Sequence, residues 1–169
     1  KKLVREKVFP KEIYHPVISC AHRYHSSVQA YRDRDFLVEK LEGRTKAYAQ
    51  RLHASPIIIP NLLDYQEPLN KILLNGPDHN SLLKVKEELE PVIAGKLNCF
   101  FSKPTFLEFT AIDATKGLTM LEVAKQYGIR REEIIAIGDS FNDLHMIQLA
   151  GLGVAVRNGA EEVRRHADY

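Results

Sequence analysis

The chain lacks three features that would place it in a special class of protein. Its two cysteines, Cys20 and Cys99, are too few and too far apart for a disulfide scaffold, so we expect a reducing, cytoplasmic location. No apolar run approaches the ~18 residues of a membrane span. Lys and Arg total 24 against 22 acidic residues, a formal charge of +2, which favours neither nucleic acid nor a membrane surface as partner.

The most informative segment is 134–144, a run of β-forming residues that ends at a glycine and is followed by polar groups. A continuous apolar run is typical of a buried parallel strand, and α/β sheets bind ligands at the carboxyl ends of such strands. The polar groups are Asp139, Ser140, Asn142 and Asp143. Carboxylate and amide oxygens in one turn suit Mg²⁺. An alternative is a plain strand-to-helix turn, capped by Ser140 or Asn142, with a helix beginning near Asp143.

A lysine at a predicted helix start is the second informative feature. Lys116 precedes an amphipathic pattern that stops at Gly128 and whose apolar members are Leu118, Leu121, Ala124 and Tyr127. A cation in the first turn opposes the helix dipole by up to about 1 kcal/mol. Such a lysine is easier to understand if an anion such as phosphate binds there, although a solvated surface lysine is the alternative.

The order of these motifs resembles a known family. A Lys-Gly pair at a helix start is followed by an apolar strand, Gly-Asp-Ser-Phe-Asn-Asp, a Leu-Gly-Val-Ala-Val strand and Asn-Gly-Ala. This order resembles the carboxyl-terminal half of the haloacid dehalogenase superfamily, specifically the Cof-type phosphatases with a large α/β cap. The likeness is strong over residues 105–169 and is weaker, though similar in layout, over residues 1–104.

The resemblance implies a role for each polar residue of the two motifs. Lys116 would hold the phosphoryl group and the charge of the nucleophile, and Asp139 would bind Mg²⁺. Asn142 would contact phosphate or order the metal shell. Asp143 would be the second acidic position, which supports the metal site or Lys116. We therefore expect a substrate site at Lys116 and Asn142 and a metal site at Asp139 and Asp143.

The family's nucleophile motif, Asp-x-Asp-Gly-Thr, does not occur in this sequence. Its one lookalike, Asp33-Arg34-Asp35, is followed by Phe-Leu-Val, so we predict a solvated strand face or a tight turn there. We therefore expect this chain to be a piece of a longer enzyme, to lack the nucleophile and the general acid/base, and to be inactive in isolation.

The pattern of elements predicts an α/β fold. We expect residues 1–110 to form the cap, with the first residues belonging to the core or to a hinge, and residues 111–169 to form the carboxyl-terminal half of a Rossmann-like parallel-sheet core. Predicted elements before residue 111 are helices over 12–26, 43–53 with Ala47 and Leu52 inward, and 81–93 with Ser81 as cap, strands over 28–38 and 69–76, and a hairpin around Lys103-Pro104.

Two further groups of residues invite a functional interpretation. Cys20, His22 and His25, with His15, suggest zinc, but their spacing fits no closed four-ligand pattern, so we favour a partly exposed helix that carries polar histidines. His145 follows the acidic turn, and the family pattern gives it no catalytic role, so we expect it to be solvated or packed.

The resemblance therefore implies a Mg²⁺-dependent phosphatase that hydrolyses a small phosphorylated metabolite, such as a sugar phosphate, through a phospho-aspartate. Two alternatives remain open: a phosphotransferase or phosphomutase of the same fold, and a non-catalytic module that keeps only the anion site. Candidate substrate contacts in the cap, which no motif ranks, are Arg32, Arg34, Arg44 and Lys46.

Overall fold

The computed structural model describes residues 6–169, which form two compact units. One unit comprises residues 7–112 and the other residues 113–169, with which Glu6 groups. Each unit has its own sheet, and the assignments of cap and core remain predictions. The first residues of the chain were expected to belong to the core or to a hinge. Residues 1–5 lie outside the described residues, so this expectation stays a prediction.

The unit 7–112 is built on a six-stranded sheet in the order β3-β2-β1-β4-β6-β5. Strands β2 and β3 pair in parallel, and every other neighbouring pair is antiparallel. The elements are α1 (Lys11–Arg23), β1 (Ser27–Arg32), β2 (Asp35–Val38), α2 (Gly43–Leu52), β3 (Ile57–Ile58), β4 (Lys71–Asn75), α3 (His79–Ile93), β5 (Leu97–Lys103) and β6 (Phe106–Ala111).

The core of this unit lies where α1 and α3 pack against each other and against the sheet. Alternate strand residues form the sheet side of this core because successive side chains of a strand point to opposite faces. Two rows of aligned, buried residues cross the three central strands, Val28, Leu74 and Leu107 in one row and Ala30, Ile72 and Phe109 in the other. The helices contribute Tyr14, Val17, Ile18, Leu82, Val85 and Leu89.

Helix α2 covers part of the other face, and its inward residues differ from those expected. Thr45 and Ala49 are buried, whereas Ala47 and Leu52 are exposed. The expectation failed because this helix has few apolar residues, so its hydrophobic pattern did not define a face. Ala49 packs with Phe36 and Val38 in a small cluster that fixes α2 against the sheet.

Two predicted turns are confirmed, and one predicted cap is wrong. The tight turn at Asp33 joins β1 to β2, with Asp33 in the left-handed region at φ 53°. The hairpin around Lys103 joins β5 to β6. Helix α3 begins before Ser81, because the Asp78 carboxylate accepts hydrogen bonds from the Ser81 amide and hydroxyl at 2.8 and 2.9 Å. Asp78 is therefore the cap.

The unit 113–169 shows the predicted order of helix, strand, helix, strand and helix, and its two strands are parallel as expected. In β7, Ala136 and Gly138 are buried, whereas Ile135 and Ile137 are 64% and 60% exposed. Tyr127, which the sequence counted in the apolar pattern of the helix that begins at Lys116, follows the last helical residue and is 77% exposed. The elements are α4 (Lys116–Gln126), β7 (Ile135–Gly138), α5 (Phe141–Leu149), β8 (Leu152–Ala155) and α6 (Glu161–Arg165).

Among all the described helices, none combines the length and apolar character needed to cross a bilayer.

Candidate functional site

The candidate site begins where β7 ends and α5 starts. Asp139 follows the last strand residue, and Ser140 is the extended residue that precedes the helix. Gly138 is required at this turn because a Cβ on it would lie 2.4 Å from the Asp143 Cβ. The strand can therefore end directly against α5, which brings the carboxylate at the third position of the helix back under the turn.

Asp143 is the buried centre of this turn, with only 4% of its surface exposed. Its Oδ2 accepts hydrogen bonds from the backbone amides of Asp139 at 3.1 Å and Ser140 at 3.3 Å. Its Oδ1 accepts a hydrogen bond from Lys116 Nζ at 2.5 Å. Burial by itself raises the pKa of Asp143, but the Lys116 ammonium and the two amides outweigh it and hold the pKa below its ordinary value. Asp143 is therefore a fixed anion.

Lys116 reaches Asp143 because α4 and α5 lie very close together. A Cβ on Gly117 would lie 2.6 Å from the backbone oxygen of His145 on α5, so only glycine permits this approach. Thr115 caps α4 by accepting a hydrogen bond from the Leu118 amide at 3.2 Å, and its hydroxyl lies 2.7 Å from His145 Nδ1. His145 is thus packed at the start of α4, and Thr115 is a structural residue to which the sequence analysis gave no role.

The ion pair changes the argument drawn from the helix dipole. The sequence suggested an external anion beside Lys116, whereas the structure places the Asp143 carboxylate there. The lysine side chain is nonetheless half exposed. Because an ammonium carries three N–H donors and one is used by Asp143, two remain for another acceptor.

Asp139 and Asn142 complete the cluster. Among the residues that the structure describes, none donates a hydrogen bond to the exposed Asp139 carboxylate. Asn142 Oδ1 accepts a hydrogen bond from Ser140 Oγ at 2.7 Å. The loop after β8 also belongs to this turn, since the Ala160 amide donates to the Asp139 backbone oxygen at 2.8 Å.

The donor set fits a Mg²⁺ ion held partly by the protein. Mg²⁺ is commonly bound by one or two carboxylates together with waters and substrate phosphate, so a complete protein cage is not required. The exposed Asp139 carboxylate is suited to this role, whereas both oxygens of Asp143 already accept hydrogen bonds. Within residues 6–169, no cluster of three or more His, Cys, Asp or Glu side chains has the geometry of a metal site.

Two of the residues that suggested a zinc site, Cys20 and His22, have other surroundings in the structure. His22 Nε2 is 2.8 Å from a Glu39 carboxylate oxygen. Cys20 is a buried free thiol, and desolvation raises its pKa to about 11, which disfavours the thiolate that a metal needs. Cys20 therefore belongs to the core and His22 contacts a carboxylate, while the interpretation of the histidines as polar residues of a partly exposed helix stays a prediction.

Comparison with known proteins gives a consistent result along the chain. A family model described as haloacid dehalogenase-like hydrolase matches residues 1–169. The crystal structure of a haloacid dehalogenase-like hydrolase from Bacteroides thetaiotaomicron superposes with a TM-score of 0.79 at 36% identity, covering 97% of this chain and 62% of that one.

Two proteins of Bacillus subtilis, both named 5-amino-6-(5-phospho-D-ribitylamino)uracil phosphatase, also match. YcsE is 41% identical over 68 residues, which are 40% of this chain and 27% of that protein. YwtE is 32% identical over 111 residues, which are 66% of this chain and 38% of that protein. The chain thus spans between about a quarter and two fifths of these relatives.

Proposed function

Because the chain belongs to the haloacid dehalogenase-like hydrolases of the Cof type, we propose that it is part of a phosphoric monoester hydrolase acting on a small phosphorylated metabolite. The observation that carries this proposal is that Asp143 holds both the Lys116 ammonium and the backbone amide of Asp139, whose own carboxylate is exposed. A fixed cation and a free carboxylate at the end of a parallel strand suit a phosphate ester together with a divalent cation.

In this proposal Lys116 binds the transferring phosphoryl group. Its two remaining N–H donors would form hydrogen bonds with the phosphate oxygens, where negative charge must be stabilised during phosphoryl transfer. Asp143 is a positioning residue, since it holds the ammonium and the two backbone amides of the turn. Asn142, one residue before it on α5, presents an amide for phosphate or for a water of the metal shell.

The metal in the proposal is Mg²⁺, with Asp139 as its principal ligand and Asp143 as the second acidic group of the site. The bound ion would supply positive charge that offsets the charge of the phosphate oxygens. Phosphatases of this family are generally metal-dependent. We further propose that hydrolysis proceeds through a phospho-aspartate in the cytoplasm, and that the nucleophile is supplied by a segment other than residues 1–169.

The test is a comparison of three variants in the full-length enzyme, with a phosphate ester as substrate and Mg²⁺ varied. Lys116→Met keeps the aliphatic stem and removes the charge, and Asp139→Asn removes the exposed carboxylate. We expect each to lower kcat/KM by more than about tenfold, a loss above roughly 1.4 kcal/mol of transition-state stabilisation. Asp139→Asn should also raise the Mg²⁺ concentration needed for half-maximal rate.

Lys125→Met is the matched control, because Lys125 is an exposed lysine in the last turn of the same helix α4. It should retain the kcat/KM of the wild type. If Lys116→Met and Lys125→Met behave alike, Lys116 is a surface lysine and the proposed phosphate site is wrong. A phosphorylated acceptor other than water among the products would identify a phosphotransferase instead.

A further inference from the structure

A cavity of about 370 Å³ lies within the unit 7–112. It is bounded by α2, by the end of β4 and by the turn between β5 and β6. We call it the α2 groove and define it by Arg44, Tyr48, Arg51, Asn75 and Phe106. Its volume falls in the range of roughly 300–1,000 Å³ that small-ligand pockets occupy.

The two arginines give the groove a positive wall. The Arg51 guanidinium lies 5.1 Å from the ring centre of Tyr48 and 5.8 Å from that of Phe106. Arg44 is held by hydrogen bonds from its Nε to the Asn75 backbone oxygen at 3.2 Å and from its Nη2 to the His25 backbone oxygen at 2.8 Å. Among the described residues, no carboxylate lines the groove or pairs with either arginine.

The aromatic wall is fixed by its own packing. Tyr48 meets Phe106 edge-on at 5.5 Å between ring centres and meets Phe36 edge-on at 6.1 Å. Such pairs hold both rings in defined orientations. A guanidinium over a ring face is likewise favourable, so Arg51 is held in place without a carboxylate partner. The cations and rings of the groove are therefore arranged before any ligand enters.

Asn75 adds a hydrogen-bonding group at the base of the groove. It is only 6% exposed, and in the described part of the chain no residue forms a hydrogen bond with its side-chain amide. Asn75 lines the groove, so its amide is available there to a ligand that offers a donor or an acceptor.

We propose that the α2 groove binds a small organic phosphate that carries a planar ring. Arg44 and Arg51 supply the guanidinium donors that match phosphate oxygens. Tyr48 and Phe106 supply an apolar wall for the ring, and the Asn75 amide meets a polar atom on the edge of that ring. The proposal rests on the unit 7–112 alone, in which Arg44 was a candidate substrate contact from the sequence, and it uses neither Lys116 nor Asp139.

The test uses adenosine 5′-monophosphate as the probe, with the full-length protein in EDTA and NMR signals followed during titration. We expect the nucleotide to shift the Nε–H signals of Arg44 and Arg51 and the side-chain amide signals of Asn75. Adenosine carries only the ring system, and inorganic phosphate carries only the anion. The Kd of each, measured from the same signals, should be at least about tenfold higher than that of the nucleotide. Signals at Lys116 report binding at the other site separately.

Arg51→Gln should weaken this binding by at least about tenfold, because it removes an unpaired guanidinium. Lys84→Gln is the matched control, since Lys84 is an exposed cation of the same unit that does not line the groove. It should change the affinity by less than about twofold. Unchanged signals with the nucleotide, equal binding of inorganic phosphate, or equal losses in the two variants would each overturn the proposal.

Discussion

At the scale of single residues, Asp143 explains more of the candidate site than any other side chain. One of its carboxylate oxygens accepts hydrogen bonds from the two backbone amides that follow β7, and the other accepts a hydrogen bond from the Lys116 ammonium. The motif showed that two carboxylates belong to this turn, and it gave no means of ranking their exposure. The structure separates them, with Asp143 buried and Asp139 exposed.

Asp143→Asn should therefore lower the stability of the protein. The neutral amide keeps the size of the side chain but loses the charge that Lys116 pairs with, and it offers at most one acceptor oxygen to three donors. We expect a loss of about 1–3 kcal/mol in the free energy of unfolding, measured by urea denaturation.

A double-mutant cycle assigns that loss. Lys116→Met alone leaves Asp143 with its two amide donors, so its cost should be smaller than that of Asp143→Asn. The double variant should show a coupling energy of at least about 0.5 kcal/mol, as contacting residues do. Strict additivity would mean that the ion pair contributes no stability.

At the scale of secondary-structure elements, helix starts show how the sequence can misplace a cap. Serine at position 81 and an aspartate three residues earlier are both common cap residues. The helix starts at Asp78, because its carboxylate accepts hydrogen bonds from both the amide and the hydroxyl of Ser81. Sequence preference alone did not distinguish them.

This difference gives a pH-dependent prediction. Hydrogen bonds from the backbone amide and then the hydroxyl of Ser81 hold the pKa of Asp78 below its ordinary value. Its stabilising effect is therefore complete above the ordinary pKa of an aspartate and is lost as the pH falls through the lowered pKa. We expect Asp78→Ala to lower the thermal midpoint at neutral pH and the gap from the wild type to narrow in acid.

Ser81→Ala is the control for that experiment, because it removes only the hydroxyl and leaves the backbone amide that Asp78 accepts. It should lower the midpoint less than Asp78→Ala does at neutral pH. Equal effects of the two substitutions, or a gap for Asp78→Ala that does not change with pH, would show that the cap is assigned wrongly.

At the scale of the whole molecule, the proposed activity requires a nucleophile motif that the sequence of the two units does not contain. Residues 113–169 bring together a phosphate-binding lysine and a metal-binding carboxylate in the proposed function. Neither unit contains an Asp-x-Asp-Gly-Thr string, and the lookalike at Asp33 forms the turn between β1 and β2. The position of Asp33 in a tight turn, with its amide bound to Asn70 Oδ1 at 2.7 Å, disfavours a catalytic role.

The isolated polypeptide of residues 1–169 should therefore show no Mg²⁺-dependent hydrolysis of p-nitrophenyl phosphate. We also expect it to self-associate through residues 134–156, because Ile135 and Ile137 present apolar side chains on a two-stranded sheet. Turnover that co-purifies with the chain and disappears in Asp139→Asn would contradict the prediction, and sedimentation velocity measures the association.

The sequence by itself determined the class of fold, the strands and helices after Lys116, and the local group of Asp139, Asn142 and Asp143. These features are local, since hydrophobic period and turn residues are set by neighbours along the chain. Only the tertiary structure decided which carboxylate is buried, that Lys116 pairs with Asp143 across 27 positions, and that Arg44 and Arg51 share a groove with Phe106. Such contacts depend on how closely separate elements approach, and that distance is fixed by packing at positions such as Gly117, where the sequence shows only a glycine in a helix.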